Sequence, residues 1–310
     1  TMAGIYCFAV MLGRALAAIL QTVSLPFDPT ILVSSVLAVD MGAYSIADTL
    51  CTDPAQKIFS GVLLASTLGC TISFSLPIAL GSVPSKDSKT LMTGMVYGII
   101  ATPAALIVGG LMAGMGLSDF FTHLLPVVVI CAVLGLCIFY GGERAVGVFQ
   151  KVGTRARNKA KQKAKRQLTA IVLFALVVVQ IFFDTPHIQF VDPALIGEAL
   201  TIVFKISVVV CGSFILSNLI LRKFMHPILS LARKIHVNEF AIIGMLLNLI
   251  NSVSMFSVFG KMDKRGQLMN AAAAVTSGFV FGGQLAFVSS VNNDAVLTFI
   301  VSKLVGGLVS

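Results

Sequence analysis

The sequence predicts an all-α, polytopic integral membrane protein, and three observations carry that prediction. Of its 310 residues, 57% are hydrophobic and 11% charged, with a mean hydropathy of +0.96. So little charge cannot cover a soluble surface of this size, and the apolar excess must face lipid. The charges are also clustered, leaving apolar runs of about 20 residues, the length that crosses a ~30 Å hydrocarbon core. Finally, these runs lack the period-two alternation of a membrane barrel. Lipid offers no partner for backbone N–H and C=O groups, so the spans must be helices.

Taken in order, helices are expected over 2–23, 57–82, 91–116, 121–142, 168–183, 199–221, 267–291 and 294–310. Two shorter apolar stretches, 31–48 and 240–259, bring the total to about eight to ten helical segments. The first run is not a signal peptide: it lacks a basic leader, contains Arg14 and ends in Leu25-Pro26-Phe27-Asp28-Pro29. The chain therefore reads as opening within a domain. Cys7, Cys51, Cys70, Cys131, Cys137 and Cys211 lie mostly inside the apolar runs without a CxxC pair. They read as small buried residues, not as a disulfide or metal framework.

Lys and Arg set the orientation. The stretch from Arg144 to Arg166 is strongly basic, 222–238 adds Arg222, Lys223, Arg233 and Lys234, and the link near 82–90 holds Lys86 and Lys89. The links near 117–123 and 184–198 carry Asp119, Asp184, Asp192 and Glu198 and no basic residue. By the positive-inside rule the basic links are cytoplasmic. The run Lys151–Arg166 admits a nucleic-acid patch or a lipid-binding helix, but a topology-setting cytoplasmic loop touching headgroups accounts for it without a new function. Nucleic acid is accordingly not an expected partner, whereas the lipid bilayer is. The chain thus divides into an N-terminal half, 1–142, a basic loop, 143–167, and a C-terminal half, 168–310.

The two short stretches carry the functional information. Residues 31–48 hold Asp40 at their centre, followed by Met41-Gly42; residues 240–259 hold Asn248, Asn251, Ser252 and Ser254. Each precedes a long helix with small and polar residues in mid-span, Gly61–Pro77 in one half and Ala271–Gln284 in the other. Interrupted apolar segments at matching places in two halves point to a transporter built from internal repeats, with its site near the midplane. Lys261, Lys264 and Arg265 put the link 260–266 on the cytoplasmic side with 222–238, so 240–259 enters and leaves on one face. The same count puts 49–56 outside, so 31–48 would enter from the other face, which is the relation of two inverted repeats each carrying a broken or re-entrant helix.

Asp40 is the sharpest candidate. A carboxylate inside an apolar span costs on the order of 3 kcal/mol and marks an ion or substrate pathway. It suits a cationic solute or a proton, although a buried Asp capping half of a broken helix is the plainer alternative. Beside it, Met41 and Gly42 offer closely approachable backbone. Asn251 and Ser252 can bond an amine or hydroxyl, or simply hold helices together. Ser73 and Ser75, before Pro77, sit where a helix break or a proline kink would fall. Gln284 follows Gly282-Gly283. Lys205 and Lys303 are expected to snorkel from span ends. His123, His187, His226 and His236 lie in loops without ligand spacing, and the sequence holds no nucleophile elbow, phosphate loop or zinc motif. Neither an enzyme nor a bound cofactor or metal is expected.

Val39-Asp40-Met41-Gly42, the Phe74–Gly81 run FSLPIALG, the link Met262–Asn270 (MDKRGQLMN) and the closing Ser302-Lys303-Leu304-Val305-Gly306-Gly307 together resemble the ethanolamine-utilisation permease family, in order along nearly the whole chain. The resemblance implies a carrier in the bacterial cytoplasmic (inner) membrane that admits ethanolamine, a small primary ammonium with one hydroxyl. Asp40 would then pair with the ammonium, and Asn251, Ser75 and Gln284 would meet the hydroxyl or amine. The chain departs from the family at Gly282-Gly283-Gln284-Leu285, where an acidic residue and a His tend to follow a glycine. At Asn251-Ser252-Val253-Ser254 it lacks the family's proline, and its basic run is longer. The family also has a helical region preceding the stretch present here. A channel for a small neutral or cationic solute, and a membrane scaffold or sensor acting through the basic loop, are the competing readings. A homo-oligomer is compatible with all three.

Overall fold

The computed structural model describes residues 27–158 and 234–310, with separate helical positions between 197 and 230. The helices expected over 2–23 and 168–183, and most of the basic run beyond Asn158, lie outside the described residues. Every regular element among those described is helical, and the protein is an all-α membrane protein. Among the described residues, three helices are long and apolar enough to cross a bilayer: Pro54–Ser82, Ser85–Met112 and Leu117–Cys137.

The first interrupted stretch comprises Thr30–Val36 (α1) and Ala43–Leu50 (α2), joined through a single 3-10 turn at Val39–Met41. Gly42 enforces the break. Its φ of 108° lies in the left-handed region, which a right-handed helix cannot pass through and a Cβ would strain. Helix α3, Pro54–Ser82, follows. The Asp53 carboxylate caps its start by accepting from the Ala55 and Gln56 amides, with Pro54 at the first position.

From Ile58 to Gly69, and again over Thr71–Ser75, α3 is wound as a π-helix. Its hydroxyls are satisfied within the helix. Ser60, Thr67, Thr71 and Ser73 each donate to the carbonyl four residues back, and Ser66 to the one three back. Pro77 neither breaks nor ends the helix, because the chain has returned to α winding at Leu76 and continues to Ser82. The expected break at Ser73 and Ser75 is therefore replaced by π winding.

Ser88–Met112 (α4) and Leu117–Asn158 (α5) complete the first half. Helix α5 runs past the expected end at 142 and carries the start of the basic stretch. In the second half, Glu239–Ile250 (α6) and Ser252–Val258 (α7) are parted at Asn251, whose extended backbone stops one helix while its side chain caps the next by accepting from the Val253 amide. Lys264–Thr276 (α8), Gly283–Val291 (α9) and Ala295–Val309 (α10) follow. The single helix expected over 267–291 is thus two helices. At the gap Phe279 adopts a φ of 63°, and the Phe279 and Phe281 amides donate to the Asn248 and Leu249 carbonyls at 3.0 and 2.8 Å instead of to their own helix. Tertiary bonding overrides the apolar run there.

The order of elements recurs. A broken pair, then an irregular long segment, then an apolar helix occurs as α1–α2, α3, α4 and again as α6–α7, α8–α9, α10. Small residues bring the two sets together. Gly94 and Gly98 of α4 lie against Ala271, Ala272 and Val275 of α8 so closely that a Cβ would meet the Leu268 and Ala272 carbonyls. Ser302 of α10 donates to the Ala105 carbonyl of α4 at 2.7 Å, and Gly306 abuts Ala105 and Thr276. These contacts fix the register of α10. A buried polar set, Asn248, Asn270 and Ser252, ties α6 to α8: Asn248 donates to the Asn270 carbonyl, Asn270 to those of Ala241 and Gly266, and Ser252 to the Asn248 side chain.

Candidate functional site

Asp40 stands on the 3-10 turn between α1 and α2, half-buried, with no α-helical ladder around it. This turn packs against α9, and Tyr44 strengthens the contact by donating to the Val291 carbonyl at 3.3 Å and meeting the Phe287 ring edge-on. The break in the first half is thereby held against the helix that begins at Gly283.

Gln284, in the first turn of α9, is 2% exposed. Its Oε1 accepts a hydrogen bond from the Lys303 ammonium at 2.8 Å, and the same ammonium donates to the Ser66 carbonyl of α3 at 2.8 Å. Lys303 is 1% exposed and its Nζ lies 5.4 Å from the centroid of the Phe299 ring. It is therefore a core residue joining α3, α9 and α10, and the expectation that it snorkels is wrong. The reason is its register. With Ser302 bonded to Ala105 and Gly306 against α4, the adjacent Lys303 is turned inward, at the ninth of fifteen residues of α10.

Among the described residues the charged neighbours of Lys303 are few. Its ammonium interacts electrostatically with the Asp40 carboxylate and the Cys70 thiol, without reaching ion-pair distance to Asp40. Cys70 in turn lies 3.8 Å from the Ser75 hydroxyl and close to Gln284. Four segments thus deliver Asp40, Cys70, Ser75, Gln284 and Lys303 to one region. The Gln284 Nε2 is buried without an acceptor. Because an ammonium can only donate, Lys303 dictates that Oε1 faces it and Nε2 points away.

The remaining sequence candidates divide. Gly42 is buried at the break, with Met41 half-buried beside it. Ser73 is occupied by its own helix, donating to the Gly69 carbonyl at 2.7 Å. Asn251 and Ser252 lie at the second break: Asn251 caps α7, and Ser252 belongs to the α6–α8 polar set, with Gly278 packed against its hydroxyl. Residues 277–282 bond to the stretch before the second break and meet α3, where Phe279 lies edge-on to Phe74 at 5.8 Å. Sequence reasoning missed Lys303 and Cys70. The signal for Lys303 was present, since a lone cation with apolar neighbours on both sides in Phe299–Leu308 is an intramembrane ionisable residue. Among the described residues no His, Cys, Asp and Glu group suited to a metal ion occurs, and Cys51, Cys70, Cys131, Cys137 and Cys211 are free thiols.

The family described as "Ethanolamine utilisation protein, EutH" matches the chain over residues 1–310. A probable ethanolamine permease of Listeria monocytogenes is 33% identical over 309 residues, covering 99% of this chain and 80% of the relative. One of the same description from Escherichia coli is 30% identical over 332 residues, covering 99% and 79%. An uncharacterised Bacillus subtilis protein, YxeR, is 28% identical over 305 residues, covering 96% and 79%. No solved structure matches the chain.

Proposed function

Since the chain belongs to the ethanolamine utilisation protein EutH family, we propose that it is a multi-pass carrier of the bacterial inner membrane that admits ethanolamine. The names of its relatives in Listeria and Escherichia coli support the substrate. The observation that carries the reading is Asp40, a half-buried carboxylate on a helix break within an apolar chain. A break of this kind frees backbone groups where they line a site, and a carboxylate there offers a counter-charge to a small ammonium. Ser75 and Gln284 stand in the same region as hydroxyl and amide partners for the alcohol end. Asn251 serves the second break, and its contribution is to shape it. The recurrence of α1–α4 in α6–α10 supports two inverted repeats moving against each other about this region.

The test is uptake of labelled ethanolamine into proteoliposomes by the wild-type chain and by Asp40→Asn. Saturable uptake that falls at least tenfold in the variant is expected. Undiminished uptake by Asp40→Asn would remove the carboxylate from the mechanism, and no uptake by the wild type would overturn the substrate.

A further inference from the structure

A site that receives an ammonium ion should not need an ammonium of its own, yet Lys303 supplies one. Its Nζ is held by two neutral acceptors, the Ser66 carbonyl and Gln284 Oε1, each at 2.8 Å, and by the face of Phe299. Among the described residues of the segments packed against it, the titratable groups facing it are Asp40 and Cys70. The pair Asp40 and Lys303 therefore makes a region of zero net charge when both are ionised and the thiol is neutral. Burying a lone cation in an apolar interior is costly without an opposite charge close by. An incoming ammonium beside Asp40 would place two cations against one carboxylate.

Resting on the ethanolamine reading above, we infer that Lys303 is the built-in cation of the carrier, and that it makes uptake of the amine electroneutral. On binding, the substrate ammonium takes over Asp40 as counter-ion. The Lys303 N–H bond breaks, the nitrogen keeps the electron pair, and the proton leaves to water on the side from which the substrate entered. One positive charge enters and one leaves. The neutral amine of Lys303 still donates to Ser66 or Gln284, so the side chain needs no new partner in either form. When the substrate departs, a proton from the receiving side restores the ammonium. Lys303 contacts none of the substrate's carbon skeleton in this scheme; it determines what charge crosses with it.

The experiment sets a potassium diffusion potential across proteoliposomes and follows labelled ethanolamine, with protein-free vesicles subtracted. A potential worth a tenfold accumulation of a monovalent cation is about 60 mV, inside negative. Wild-type uptake is expected to change by less than twofold between zero and that potential. Lys303→Met, which fills the same volume without a titratable group, is expected to be driven severalfold by it, because only Asp40 remains to compensate the substrate. Wild-type uptake that rises severalfold with the potential overturns the inference and leaves the substrate reading intact, and so does a Lys303→Met carrier that stays indifferent to it. Absence of any protein-dependent uptake overturns the substrate reading itself, and the inference falls with it. The wild-type measurement decides without the variant.

Discussion

The Lys303 ammonium donates to Gln284 Oε1 at 2.8 Å, and this bond fixes which end of the amide faces the rest of the site. Both residues are buried, so removing the acceptor leaves an ammonium short of a partner.

Gln284→Leu is therefore expected to lower stability by about 1–3 kcal/mol, the cost of an unsatisfied buried polar group. The melting temperature of detergent-purified protein measures it. Gln284→Met combined with Lys303→Met, which removes both members, is expected to recover most of the loss.

Close packing around the first break gives a second expectation. A Cβ on Gly69 would lie 2.1 Å from the Leu37 carbonyl oxygen and 2.3 Å from that of Ser34, whereas one on Gly81 meets nothing within 4 Å. Gly69→Ala is expected to cost at least the roughly 1–3 kcal/mol of an overpacked core. Gly81→Ala is expected to be neutral, or stabilising by up to about 1 kcal/mol through helix propensity. Thermal unfolding of the two variants side by side checks the contrast.

Asn251 acts through its cap. Asn251→Ala is expected to cost about 1 kcal/mol, while Asn251→Asp keeps an oxygen for the Val253 amide and retains both stability and uptake. An Asn251→Asp carrier that is stable yet raises the KM for ethanolamine severalfold would instead make the residue a substrate ligand.

Two ion pairs should differ in weight. Lys264 reaches Asp87 at 3.0 Å with side-chain exposures of 67% and 5%, and Lys57 reaches Asp48 at 2.6 Å with 24% and 53%. Lys264→Met leaves a buried carboxylate short of its partner and is expected to cost about 1–3 kcal/mol. Lys57→Met is expected to cost about 0–1 kcal/mol, as for an exposed pair. Thermal shifts separate them.

The orientation can be read directly. Thr52 and Arg265 are exposed, whereas the links' acidic residues Asp53 and Asp263 cap helices. In a background without the native cysteines, Thr52→Cys and Arg265→Cys are expected to react with an impermeant maleimide from opposite faces. Labelling from the same face would rule out inverted repeats.

The fold class was legible because it rests on composition and span length, which tertiary contacts cannot alter. Asp40 and Gly42 were legible for a similar reason: a carboxylate and a glycine in an apolar run contradict their surroundings locally. The gap at 277–282 was not, because its cause is a pair of carbonyls at Asn248 and Leu249, about thirty positions away, that bond the Phe279 and Phe281 amides. Lys303 was legible as an ionisable residue among apolar ones, but the direction in which it points was not. That direction depends on where Ser302 and Gly306 settle on α4, and a helix without strong amphipathic patterning does not announce that register. The π winding of α3 was not legible either, because the hydroxyl spacing there is that of ordinary back-bonded serines and threonines, which α4 carries in plain α winding.

The joint between the two strands of chain at 248–250 and 279–282 has a consequence for sequence change. A Cβ on Gly282 would fall 2.0 Å from the Ile250 carbonyl oxygen, so neither stretch tolerates a change of backbone course that the other does not match. An insertion in either stretch is therefore expected to open the joint unless the other shifts with it. The two stretches, about thirty positions apart, can change course only together.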